Sequence, residues 1–186
     1  MRNSEFEHHS TDKQFSQQAD QVAIAVACRG ILETLPTAAY TCDEVGLITY
    51  FNPIAASVWG RTPKLRDAGD RYCGSHRMYS RDGNLIPHGQ CWMALALQHG
   101  AAYHAREIVI EREDGTRKVA LAHAHPLRNR RGAVVGALNL FAELGGNTVD
   151  GSMTRLPAVA DAATVAIIDI AVSVLTVMPW DGVSVN

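Results

Sequence analysis

Four side chains able to ligate a metal, Cys73, His76, His88 and Cys91, crowd into one irregular stretch of the chain. Cys73 and His76, and again His88 and Cys91, are separated by two residues, a spacing that zinc sites use between paired ligands. One pair falls in a loop and the other at a helix start, and nothing local forces them together. Spacing alone therefore assigns no metal site. His123 and His125 stand two apart on an expected strand and so share a face. His123 is a candidate to line a pocket there, with Pro126 marking the strand end. Trp59, Trp92 and Met93 are the other candidates for a cavity wall, although such residues at helical spacing also build plain core. No Ser-His-Asp arrangement, phosphate-cradling glycine loop or HExxH is present, and Gly74-Ser75-His76 lacks the strand–turn–helix setting of a nucleophile elbow. No catalytic residue is assigned, and the chain is expected not to be an enzyme.

The elements that must position these residues are legible from periodicity and punctuation. Thr11 and Gln14 have capping-box spacing, and Phe15, Ala19, Val22 and Val26 then recur at helical intervals on one face. Gly30 weakens this helix and Pro36 ends it near Leu35. Ala39 to Cys42 and Leu47 to Phe51 have strand character and flank a turn at Asp43 to Gly46. Asn52 is placed to cap a helix with Pro53 at its first position, and Gly60 stops it. Residues 61 to 88 read as loops and short helical turns, with a turn at Asp82-Gly83. A second helix is expected from about Gln90 to His99. Three strands follow: Tyr103 to Arg112, Val119 to His125, and Ala133 to Ala142, the last apolar enough to lie centrally with both faces covered. Strands joined by tight turns are antiparallel, and five of them with helices on one side make an α+β domain.

Composition narrows the function classes. The chain has 186 residues, 47% hydrophobic and 19% charged, which is globular in character. A net charge of -2 and a pI near 6.4 argue against a nucleic-acid or acidic-membrane partner. Cys28, Cys42, Cys73 and Cys91 form no C-x-x-C pair, so free thiols in a reducing cytoplasm are expected. The acidic N-terminus is unlike a secretory signal.

The stretch Ile31 to Pro36, then Asp43 and Gly46, then Tyr50-Phe51-Asn52-Pro53-Ile54-Ala55-Ala56 and Gly60-Arg61, resembles the opening half of a PAS domain. Asp82-Gly83, Glu111 to Gly115, Pro126-Leu127, Gly132 and Gly136-Ala137 resemble the closing half. The resemblance divides the chain into an N-terminal extension and helix (1–30), a PAS domain (31–143), and a linker with an apolar tail of unassigned structure (144–186). It implies a five-stranded antiparallel sheet with helices over one face. It also implies a cytoplasmic sensory, signal-transduction role of the kind found in histidine kinases, two-component systems and their regulators. The domain would bind a small ligand or a protein partner and act as a homodimer, with Phe15, Ala19, Val22 and Val26 as the dimer helix. Alternatives are a ligand-free docking domain, a remnant of a histidine kinase, and a haem- or metal-binding sensor.

The resemblance has departures. The place where many such domains carry an Asp-Ile-Thr-like output triplet reads Ala142-Glu143-Leu144, followed by Gly145-Gly146. Two glycines make a poor rigid linker, so any effector is expected elsewhere. Haem-binding relatives take an axial His from mid-helix, whereas the Gln90 to Gln98 stretch has none and is only flanked by His88 and His99. Flavin photochemistry of the light-oxygen-voltage type needs a reactive Cys motif that Tyr72-Cys73-Gly74-Ser75-His76-Arg77 does not match. The motifs therefore support neither haem nor flavin, and the cofactor is unassigned. In the tail, the insertion gain of eight Val/Ile/Leu residues between Ala162 and Met178 is about 2 to 5 kcal/mol. Asp169 at the middle roughly cancels it, so no membrane span is expected there.

Overall fold

The computed structural model describes residues 28–144 together with Ala166, Ile170, Ala171 and Val174. The expected dimer-helix residues Phe15, Ala19, Val22 and Val26 lie outside the described residues. The described part opens on a helix, α1, over 28–34. Then follow β1 (Ala38–Asp43), β2 (Ile48–Phe51), α2 (Pro53–Trp59), β3 (Arg77–Tyr79), β4 (Leu85–Ile86), α3 (Trp92–His99), β5 (Tyr103–Glu111), β6 (Arg117–Arg128) and β7 (Val134–Glu143). Short 3-10 turns at Ala68–Asp70 and His88–Gln90 interrupt the long middle segment.

All strand pairs are antiparallel, in the order β2-β1-β7-β6-β5-β3-β4. The five expected strands are present, but among the described residues the sheet has seven. β3 and β4 add an edge beyond β5 on either side of the Asp82-Gly83 turn. Three and two residues are too few to display a period of two, so the sequence gives no strand signal there. β7 lies between β1 and β6, and its buried run alternates faces: Ala137 and Phe141 look one way, Leu138 and Leu140 the other.

The helices cover both faces rather than one. α2 and α3 pack over Ala38, Tyr40, Ala120, Ala122 and Phe141. α1 brings Cys28 and Leu32 against Ala39, Tyr50, Leu127, Leu138 and Leu140 on the other side, where Ala171 is also buried. Leu138 and Leu140 are as apolar as the residues they alternate with, so the second face also has to be covered.

Asn52 joins the two layers. Its Oδ1 accepts from Ala55 N at 3.0 Å, capping α2, and from Ala39 N at 3.1 Å on β1. Its Nδ2 donates to Leu32 O at the end of α1 (3.1 Å) and to Thr37 O (2.8 Å). The side chain is wholly buried with all four contacts made. Gly60, with φ 70°, ends α2 in the left-handed conformation expected of a helix stop.

β6 runs past the expected end. Pro126 sits within it, opposite Ala137 of β7. Pairing with β5 stops at Ala124, so beyond that point β6 has β7 as its one neighbour and the missing N–H costs no ladder bond.

Candidate functional site

The face of the sheet under α2 and α3 holds a cavity of about 20 Å³, measured as the space open to the centre of a water molecule. One water needs roughly 10–15 Å³ on that measure, so the cavity has room for about one. Trp59 from the end of α2 and Trp92 and Met93 from the start of α3 line it. His123 does not. Ala122 lines the cavity, so the strand's alternation turns His123 to the opposite face. Cys73 and Cys91 also reach the wall, together with Tyr40 and Asn139.

The packing around Trp59 is aromatic. Its ring meets Tyr40 edge-on at 5.0 Å and stacks on Phe141 at 5.7 Å, with Phe51 at 5.9 Å. Trp92 packs on Tyr103 at 5.6 Å, and the Arg106 guanidinium lies 5.3 Å over its ring. These contacts fix both indoles at the cavity wall.

The polar groups of the wall form a short chain. The Tyr40 hydroxyl donates to the Tyr72 carbonyl at 2.9 Å. Tyr72 is held at φ 67°, and its N–H donates to Gly46 O at 2.8 Å. Glycine suits that approach at position 46, because its φ is 86° and a Cβ there would run into the Tyr72 ring. The single hydroxyl proton of Tyr40 is thus committed, so Asn139 turns its amide nitrogen to Tyr40 at 3.1 Å. Two buried polar atoms on cavity-lining residues then have no hydrogen-bond partner: Asn139 Oδ1, an acceptor, and Trp92 Nε1, a donor.

The wall carries no acid, base or histidine. Burial pushes the Cys91 thiol up to about 12, with Cys73 adding to the effect. Burial also raises the Cys73, Cys42 and Tyr40 groups above their ordinary values. All four stay neutral near neutral pH, which makes the two cavity thiols poor nucleophiles. The Cys73 Sγ stands 3.2 Å from Ser75 Oγ.

The Cys73, His76, His88 and Cys91 set does not assemble as a ligand cluster. Cys73 and Cys91 face the cavity, His76 is exposed, and His88 Nε2 lies 3.1 Å from the Ser75 carbonyl. Burial holds the His88 imidazole below its usual value. His99, at the end of α3, pairs with the Tyr103 hydroxyl at 2.6 Å. A flavin or haem ring does not fit the cavity, whose free volume is that of about one water. Sequence reasoning missed Asn139, because one polar residue in the run from Val134 to Phe141 gives no periodic signal.

Among the described residues, no helix is long and apolar enough to cross a membrane. No protein-family profile matches the sequence, and no curated protein matches it. Solved structures do. The Rhodobacter sphaeroides LOV protein matches at 16% identity and TM-score 0.49, over 84% of this chain and 94% of that one. The PAS domain of BvgS from Bordetella pertussis matches at 12% identity and TM-score 0.44, over 64% and 84%. The light-state dimer of the fungal blue-light photoreceptor Vivid matches at 18% identity and TM-score 0.43, over 57% and 77%. The solved structures that this chain is similar to thus include a LOV protein, a PAS domain and a blue-light photoreceptor.

Proposed function

We propose that this chain is a PAS-type sensory module whose input is a small neutral molecule held between the sheet and α2–α3, and which signals through dimerisation and a partner protein. In this reading the chain performs no chemistry itself, and any effector is a separate partner. One observation carries the reading: a neutral, apolar cavity whose wall presents one unpaired donor, Trp92 Nε1, and one unpaired acceptor, Asn139 Oδ1. An unmatched buried polar atom costs about 1–3 kcal/mol. An occupant offering one acceptor and one donor recovers that energy at both atoms. A charged occupant would meet no counter-charge and would not be held.

Anything larger than water requires the roof to move outward. The roof includes Cys73 and Cys91, from segments outside the sheet whose regular structure is limited to 3-10 turns. The backbone bonds from Arg66 N to Ile48 O and from Tyr72 N to Gly46 O tie the first of these segments down and are the ones that such movement strains.

The small cavity favours a second reading as well, a ligand-free docking domain with a trapped water. One experiment separates the two. Screen the purified chain against neutral amide-sized molecules by ligand-observed NMR, and measure oligomeric state with and without each hit. Saturable binding that Asn139→Leu abolishes supports the sensor reading. No hit, together with unchanged oligomeric state, supports the docking reading.

A further inference from the structure

On the sheet face opposite the cavity, His104 from β5 and His123 and His125 from β6 come together. Their ligand nitrogens all lie within 4.8 Å of one another. The His104 ring centroid is 4.7 Å from that of His125 and 6.3 Å from that of His123, edge-on to both. His104 is exposed, while His123 and His125 are 3% and 4% exposed. Two elements build the cluster. The period of two on β6 puts His123 and His125 on one face. On β5 the pairing register slips between Tyr103 and Arg106, so His104 and Ala105 together oppose His123. Ala105 takes φ 50°, a left-handed conformation unusual for alanine. A bulge of this kind re-aims a side chain, and here it turns His104 towards the other two rings.

We propose that His104, His123 and His125 form a three-imidazole site for a divalent first-row transition-metal ion, zinc being the probe of choice. Neutral imidazole is a preferred ligand for zinc, copper and nickel ions. Three nitrogens around a tetrahedral zinc at about 2.0–2.1 Å lie roughly 3.4 Å apart, so the cluster must contract by about an ångström and a half at its widest. The exposed His104 ring has the freedom to supply that movement. Three protein ligands leave a fourth position for water or an exogenous ligand, the arrangement of reactive rather than closed structural sites. The site is on the far side of the sheet from the cavity and stands whether or not the cavity binds a ligand.

The test is zinc titration calorimetry on the full, chelator-stripped chain, with visible spectroscopy of the cobalt(II) form. His104→Gln is the main variant, because His104 is exposed and its loss leaves the buried packing intact. His76→Gln, exposed and outside the cluster, is the control. The expected result is one zinc per chain, bound at least about tenfold more weakly in His104→Gln and unchanged in His76→Gln. The cobalt form should show tetrahedral d–d bands that His104→Gln removes. Absence of zinc binding by the wild type overturns the proposal. So does wild-type affinity in His104→Gln, which would place the ion elsewhere, such as at the cysteines or at His8 and His9.

Discussion

Asn139 and Tyr40 stand directly opposite each other on β7 and β1, and the Asn139 amide donates to the Tyr40 hydroxyl at 3.1 Å. That bond and the one from Tyr40 to the Tyr72 carbonyl fix the orientation of the amide. The consequence is an acceptor, Asn139 Oδ1, left without a partner at a cavity wall.

Asn139→Leu removes the unmatched acceptor along with one neutral hydrogen bond. The two effects oppose each other, so stability should change by no more than about 1 kcal/mol. Urea unfolding checks this, and the same protein should bind none of the neutral molecules that the wild type binds. A large loss of stability would mean that Oδ1 is satisfied in the folded protein.

Asn52→Ala strips four hydrogen bonds that tie α1, β1 and α2 together. The buried carbonyls and amides left behind make a loss of about 2–5 kcal/mol the expected outcome in urea unfolding. Asn52→Ser keeps an acceptor at the N-cap and should recover about 1 kcal/mol of it.

Stability should fall in alkali. The Cys91 thiol rises from 9.0 to about 12 on folding, and Cys42 and Cys73 move in the same direction. Folding therefore favours the neutral thiols. Their contribution is complete below the unfolded value near 9.0 and is lost as pH climbs towards the folded one. The urea midpoint at about pH 10.5 should lie below that at about pH 8, with a shallower decline in Cys91→Ala. Native protein at about pH 8 should resist iodoacetamide at Cys42, Cys73 and Cys91 until denaturant is added.

Local punctuation made much of the fold legible. The Asn52-Pro53 start and Gly60 stop of α2, and the turns at Asp43 to Gly46, Asp114-Gly115 and Asn129 to Gly132, need only short-range chemistry that the residues themselves carry. What depends on pairing across the chain was not legible. β3 and β4 are strands because β5 offers an edge, not because Arg77–Tyr79 announces itself. α1 covers the second face because Leu138 and Leu140 demand a partner there, which a periodic helix cannot reveal about its own destination. In the site, helical spacing does not separate a cavity wall from plain core for Trp59, Trp92 and Met93, since both use apolar side chains on one helix face. His123 lies on the face away from the cavity, and a period of two fixes which residues share a side but not which side is the cavity. His104 joins His123 and His125 through a bulge at Ala105 that no sequence period encodes.

The most direct test of the sensor reading is the indole N–H resonance of Trp92 in 15N-labelled protein, assigned by its loss in Trp92→Phe and followed while small neutral amides are added. A saturable shift of this resonance is expected in the wild type and none in Asn139→Leu. A Trp92 indole signal that stays fixed across the series, or that moves equally in Asn139→Leu, would contradict the sensor reading.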